Sequence, residues 1–211
     1  MISFALTLLQ INFIMKIIPL SEGSFTIDKT KVFIPFDKAS DDLQQRPVGS
    51  LLVEIQPFVV ITSKDIILLD TGLGFYTPTG MMQLHANLLA NGIGPSEVTK
   101  VLLSHLHKDH AGGIQNNREG VLSMPNATYY VNKKELHFAT EKKSLSYHPE
   151  DFSLLSTSSQ LQLIGDNGVL DNYIHFEMSG AHSPCHMVFT IEENGSKVFF
   201  GGDVAPQLQI G

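Results

Sequence analysis

The ten residues SHLHKDHAGG, positions 104–113, decide how this chain is read. His105 and His107 lie two apart. On a helix they would point to nearly opposite sides, whereas on an extended segment both face the same way. Asp109 and His110 follow where the chain must turn, and Ala111-Gly112-Gly113 lets the backbone pass close to a neighbour. The preceding KVLLS (100–104) reads as a short buried strand, so the potential ligands gather at a strand's carboxyl end, in a loop that opens a helix. Imidazole nitrogens with a carboxylate and no thiolate suit zinc, with iron or manganese as alternatives. One such segment can supply ligands to two adjacent ions. A lone His-x-His would read as a polar surface loop; four candidate ligands directly after a buried strand do not.

The rest of the chain supplies the frame. At 211 residues it fits one domain with ample material for a core. With 43% hydrophobic and 17% charged residues it has ordinary globular composition. A formal net charge of −7 and the lack of a Lys/Arg cluster argue against nucleic acid or an anionic membrane as partner. A single cysteine, Cys185, excludes an intrachain disulfide and a Cys-rich zinc module, and fits a reducing, cytoplasmic setting. Residues 1–14 read as an upstream extension, with no basic n-region and no small-x-small cleavage site to make a signal peptide. The run is interrupted by Gln10 and Asn12 and is short for a membrane span. The domain is expected over 15–211.

Short β-type runs dominate the first third, including KIIPL, SFTI, KVFIPF, SLLVEIQPFVVIT and KDIILLDTG. GMMQLHANLLANGI predicts a helix, with Met82, His85, Leu88 and Leu89 on one face and Gly92 ending it. NATYYV predicts a strand and KKELHFAT a second helix, followed by a polar stretch over 141–160. NYIHFEMSG, HMVFTIE and KVFFGGD predict three further strands, the last two joined by an Asn194-Gly195 hairpin turn. This order suggests a layered α/β or α+β domain of two sheets with helices outside.

HLHKDH resembles the His-x-His-x-Asp-His motif of the metallo-β-lactamase fold superfamily. LLDTG with Asp70, GAHSPCH with His182, and FFGGD with Asp203 are similar to three further elements of that family, in the family's order. The resemblance implies a four-layer αββα sandwich, here incomplete at the C-terminus. It implies one metal held by His105, His107 and His182, a second held by Asp109 and His110, and Asp203 bridging both. Asp70 and His186 would support these ligands through hydrogen bonds, while His85, His137, His148 and His175 match no element.

Three departures from the family pattern stand out. No histidine follows Asp203 to complete the second site; Cys185 replaces a glycine; and Pro206 stands where the family's quorum-quenching lactonases carry tyrosine. The implied activity is a metallo-hydrolase, zinc-dependent, whose metal-bound hydroxide cleaves a lactone, ester or thioester in a small-molecule substrate, with phosphoesters open. Asp109 would take the proton after attack. Phe75, Tyr76, Met81, Met82 and Tyr147 are candidates for an apolar pocket or for core packing. Two alternatives stay open: a di-iron or mononuclear-iron oxidoreductase of the same fold, and an impaired metal-binding remnant. The oligomeric state, monomer or homodimer, is also open.

Overall fold

The computed structural model describes residues 14–141 and 144–204. The expected extension over 1–14, apart from Ile14, and Pro206 lie outside them. β1 (Lys16–Pro19), β2 (Gly23–Ile27) and β3 (Ile34–Phe36) open the chain, followed by β4 (Leu51–Ile55), β5 (Phe58–Ile61) and β6 (Ile66–Leu69). The run SLLVEIQPFVVIT is two strands, because Pro57 lies between β4 and β5 and has no N–H for a ladder. Helix α1 (Gln83–Ala90), β7 (Lys100–Leu102) and the single turn α2 (Lys108–Ala111) come next. Then follow β8 (Gln115–Asn116), β9 (Val121–Leu122), β10 (Thr128–Asn132) and α3 (Lys133–Glu141). The chain closes on β11 (Leu161–Ile164), β12 (Asn167–Leu170), β13 (Ile174–Met178), β14 (Met187–Glu193) and β15 (Ser196–Phe200).

Two sheets form the body. One has six strands in the order β1-β5-β6-β7-β10-β11, and the other is an antiparallel β12-β13-β14-β15. In the first, β6, β7, β10 and β11 run parallel. Their sequences are apolar at successive positions because both faces are covered. Val59, Leu68, Val101, Tyr129 and Val131 point into a core shared with α1 and α3. Their alternates Val60, Ile67, Leu69 and Leu102 pack on Ile174, Phe176, Met187, Phe189 and Ile191 of the second sheet. This is the mixed α+β architecture expected. The helices described pack on the six-stranded sheet, and no helix covers the outer face of the four-stranded one among the described residues. No helix there is long and apolar enough to cross a membrane.

Some sequence expectations shift in detail. Helix α1 buries Leu84 and Leu88, one turn apart, and leaves Leu89 exposed, so its core face is offset from the 85/89 pair. Gly92 takes φ +75° just past its end. Of the polar stretch over 141–160, residues 144–160 hold two short 3-10 turns, Pro149–Asp151 and Leu155–Thr157, and send Phe152 and Leu155 into the core. Asn194 and Gly195, at φ +50° and +80°, turn β14 into β15 as their types require.

A third sheet, β3-β2-β4, forms a flap whose Phe25, Phe33 and Ile55 pack with Leu73, just past the end of β6. Glu22, between β1 and β2, ties this flap down by accepting the Leu73 N–H at 2.7 Å through Oε2, while its Oε1 is buried without a partner. Burial, only partly opposed by that hydrogen bond, raises its pKa from 4.5 to about 7. The folded state therefore binds more protons here than the unfolded chain between those values, so stability falls as pH rises through that window. The shift corresponds to roughly 3 kcal/mol. Glu22→Gln should flatten this slope and raise the melting temperature above pH 7 by several degrees, measured by calorimetry at pH 5 and pH 8. Equal pH dependence in variant and parent would contradict it.

Candidate metal centre

Strand order places the cluster. β6 and β7 are adjacent and parallel, so the residues after them, Asp70 and Ser104-His105, emerge side by side at their carboxyl ends, where open α/β sheets bind ligands. Asp70, buried at φ +57°, accepts the Ser104 N–H at 2.8 Å and the Ser104 hydroxyl at 2.7 Å. It also takes His110 Nδ1 at 2.7 Å. That last bond turns His110 Nε2 toward the site, 3.7 Å from Asp109 and 3.5 Å from Asp203. Ser104 Oγ, having donated to Asp70, accepts from His105 Nδ1 at 3.1 Å. The Nε2 lone pair of His105 is thereby left free, and that atom is buried with no partner.

The loop can close this tightly because of its glycines. A Cβ on Gly113 would strike the Thr71 carbonyl oxygen, and one on Gly202 would lie 2.8 Å from both His186 Nε2 and Ser104 Cβ. Gly202, at φ +49°, thus lets Asp203 approach the histidines.

His182 arrives from the loop before β14. Its Nε2 lies 3.1 Å from His107 Nδ1 and 3.4 Å from Asp203. One ligand atom from each of His105, His107 and His182 falls within 4.8 Å of the others, and so does one from each of His105, His110 and Asp203. The structure thus brings together five of the six residues singled out in the sequence, His105, His107, His110, His182 and Asp203, while Asp109 is in neither group and lies 3.7 Å from His110 Nε2. Asp109 stands at the rim of the second group and His105 belongs to both groups. His186 is fully buried; its Nε2 accepts the Asp203 N–H at 3.0 Å and its Nδ1 meets Ser179 Oγ at 2.9 Å, so it holds Asp203 in place.

An unpartnered imidazole nitrogen in a buried cluster is costly unless something binds it. Nitrogen and carboxylate donors spaced this closely fit a divalent cation such as zinc, iron or manganese. Electrostatics agree for His105, His107 and Asp203, while a cation at His110 would have to displace a proton. Burial, and then the charges of His110 and His107, push His105 well below the usual imidazole range. Burial and facing His182 take His107 to about 3, leaving both as neutral ligands. Burial alone would raise Asp203, but its bond to His110 and the surrounding histidines hold it to about 2, an anion at any working pH. For His110, burial is outweighed by Asp109, Asp70 and Asp203, which raise it well above its usual value.

Sequence reading missed one functional group. Glu135 of α3, 1% exposed, accepts the N–H of Leu106 at 3.0 Å, between the two histidines. It also accepts the hydroxyls of Tyr147 at 3.3 Å and Ser183 at 3.2 Å. Tyr147 in turn meets the His107 ring edge-on at 4.6 Å, and Ser183 follows His182. Of the candidate pocket residues only Tyr147 is shown against the cluster, buried beside His107. Met82 is in the core, Phe75 packs on Phe25, and Tyr76 bonds Asn116. The walls of the two cavities beside the cluster, about 380 and 390 Å³, come instead largely from the flap, with Asp109 and Asp203 lining both.

Facing sheets with a histidine–carboxylate nest at one rim define a recognisable class, the two-sheet proteins with a candidate metal site at the ends of their strands. The chain belongs to the Metallo-beta-lactamase superfamily, which residues 53–211 match. Among solved structures it resembles a probable metal-dependent hydrolase from Staphylococcus aureus, with TM-score 0.69 and 22% identity over 90% of this chain and 73% of that one. It is also similar to AidC, a dizinc quorum-quenching lactonase, with TM-score 0.66 and 21% identity over 90% and 71%. A third likeness is a putative metallo-beta-lactamase from Thermotoga maritima, with TM-score 0.56 and 23% identity over 91% and 80%. No curated protein sequence matches it.

Proposed function

We propose that this protein is a metal-dependent hydrolase, with zinc the first candidate, that cleaves an ester, lactone or thioester bond of a small molecule. The observation carrying this reading is the convergence of His105 Nε2, buried and unpartnered, with the ligand atoms of His107 and His182 within 4.8 Å. Bound divalent ions would supply Lewis acidity toward the scissile carbonyl and acidify a water to a pKa of roughly 7.

The chain's own residues divide the remaining work. Among the described residues, the serines and the cysteine packed around the histidines are not poised as nucleophiles. Ser104 is buried and bonded to Asp70, Ser183 donates to Glu135, and burial pushes the Cys185 thiol up, away from thiolate. Water is therefore the attacking group, adding across the acyl–oxygen or acyl–sulfur bond to give an acid and an alcohol or thiol. Asp109 projects into both cavities beside the cluster, so its carboxylate takes the proton that water gives up. Asp203, tied by its N–H to His186, and His110, aimed by Asp70, keep fixed positions and cost no reorganisation during the reaction.

The test is the metal-loaded protein against a panel of lactones, thioesters, simple esters and phosphodiesters, alongside metal analysis and oxygen consumption. Turnover of carboxylic esters or lactones supports the reading; oxygen uptake without hydrolysis would favour an oxidoreductase. Asp109→Asn should lower kcat by roughly 10²- to 10⁴-fold while the melting temperature of the metal-free protein stays at the parent value. An unchanged kcat would remove its proton role.

A further inference from the structure

Of the two cavities at the cluster, the one of about 390 Å³ is built differently from its neighbour. Its apolar wall is Ile27, Phe33, Leu51 and Val53 of the flap with Leu145 of the loop after α3. Leu51 and Leu145 are 49% and 63% exposed. Large aliphatic side chains left open to water beside a reactive centre suit an apolar ligand group. At its inner end are His107, Asp109, His182 and Asp203.

Two lysines line the same cavity. Lys108 follows His107 directly, and Lys31 comes from the β2–β3 turn. Neither forms an ion pair among the described residues, although both lie in an acidic protein where other lysines do, Lys38 with Glu54 and Lys134 with Asp166 among them. Lys31 also adopts φ +59°, a left-handed conformation where glycine or asparagine would be relaxed. Such strain is retained where surrounding structure or function holds it. The neighbouring cavity, with Asp70 and Glu54 in its lining, carries no lysine.

Resting on the hydrolase reading above, we propose that the substrate is an anionic amphiphile, an ester or lactone with an aliphatic chain and a carboxylate. The chain lies on the flap and Leu145, and Lys31 and Lys108 hold the carboxylate, so that a neutral ester of the same length is the poorer substrate. Both lysines act as specificity residues. An ammonium on a flexible stem suits a carboxylate whose position varies with chain length.

Two measurements test this on the metal-loaded protein. The first is calorimetric binding of octanoate against octanamide, which share a chain and differ in charge. The second is kcat/KM for the p-nitrophenyl monoester of octanedioic acid against p-nitrophenyl octanoate. The expected result is at least a tenfold preference for the anion in both. Lys31→Met and Lys108→Met should each cut that preference threefold or more, and the double variant should abolish it, with melting temperatures unchanged. Equal affinity for octanoate and octanamide overturns the proposal, and so does a preference that survives in the double variant, since the metals rather than the lysines would then be holding the anion. If binding follows the lysines but neither ester turns over, the anion site stands and the hydrolase reading is the one that fails.

Discussion

Replacing His105 with alanine should abolish metal-dependent stabilisation and lower ester or lactone hydrolysis by roughly 10³-fold or more. His105 is the one imidazole whose ligand atom belongs to both groups, with His107 and His182 on one side and His110 and Asp203 on the other. His182→Ala removes a donor from the first group only, so His105→Ala should lose more metal. The readout need not be catalytic. Metal at a hundredfold its dissociation constant stabilises a folded protein by ~2.7 kcal/mol, which appears as a rise in melting temperature on adding zinc. That rise should vanish in His105→Ala. The metal-free variant should itself melt somewhat lower, because alanine also removes the Nδ1–Ser104 bond and leaves a small buried gap, so the readout is the zinc-induced rise and not the absolute melting temperature. A zinc-induced rise of undiminished size, or full metal content by elemental analysis, would show that the ion is held elsewhere.

Much of this centre was readable before any coordinates, for a local reason. His105, His107, Asp109 and His110 are placed by one strand end and one turn, and spacing reports that geometry directly. Asn194-Gly195 was readable in the same way, since positive φ at both positions is a property of those residue types. His182, Asp203 and Asp70 came from resemblance rather than periodicity, and the structure brings them to the cluster through strand order, which no local pattern encodes. The strands β8, β9, β11 and β12 went unread because they are two to four residues long and owe their existence to their partners. The cavity wall was not legible for a related cause. Of the two roles left open for Phe75 and Tyr76, packing is the one observed, their rings being taken by Phe25 and Arg118, and the wall comes from a flap roughly twenty to fifty residues earlier. Glu135 was the hardest to see. In KKELHFAT it looks like a solvated acid on a helix surface, and only tertiary folding turns it inward.

Glu135→Ala should therefore do more than weaken the fold. Asn132 Oδ1 caps the start of α3 by accepting the N–H groups of Lys134 at 2.8 Å and Glu135 at 3.2 Å, which fixes the helix where the Glu135 carboxylate enters the interior. That carboxylate serves one backbone N–H and two hydroxyls drawn from three separate segments, those bearing His107, Tyr147 and His182. Truncation leaves three donors facing a buried gap, at a cost on the order of 3 kcal/mol or more. The same segments carry all three imidazoles of the first group, so their relaxation should also weaken metal binding, by about 10- to 100-fold as for other groups that orient ligands. Glu135→Gln keeps one carbonyl oxygen for Leu106 and Tyr147 but presents an amide N–H₂ toward Ser183, whose hydroxyl can turn to accept it. It should recover most of the stability and part of the affinity. Chemical denaturation gives the first quantity and competitive zinc titration against a chelator gives the second. A purely architectural Glu135 would lower stability in the alanine variant and leave zinc affinity at the parent value. A positioning Glu135 moves both, with glutamine between alanine and the parent on each axis.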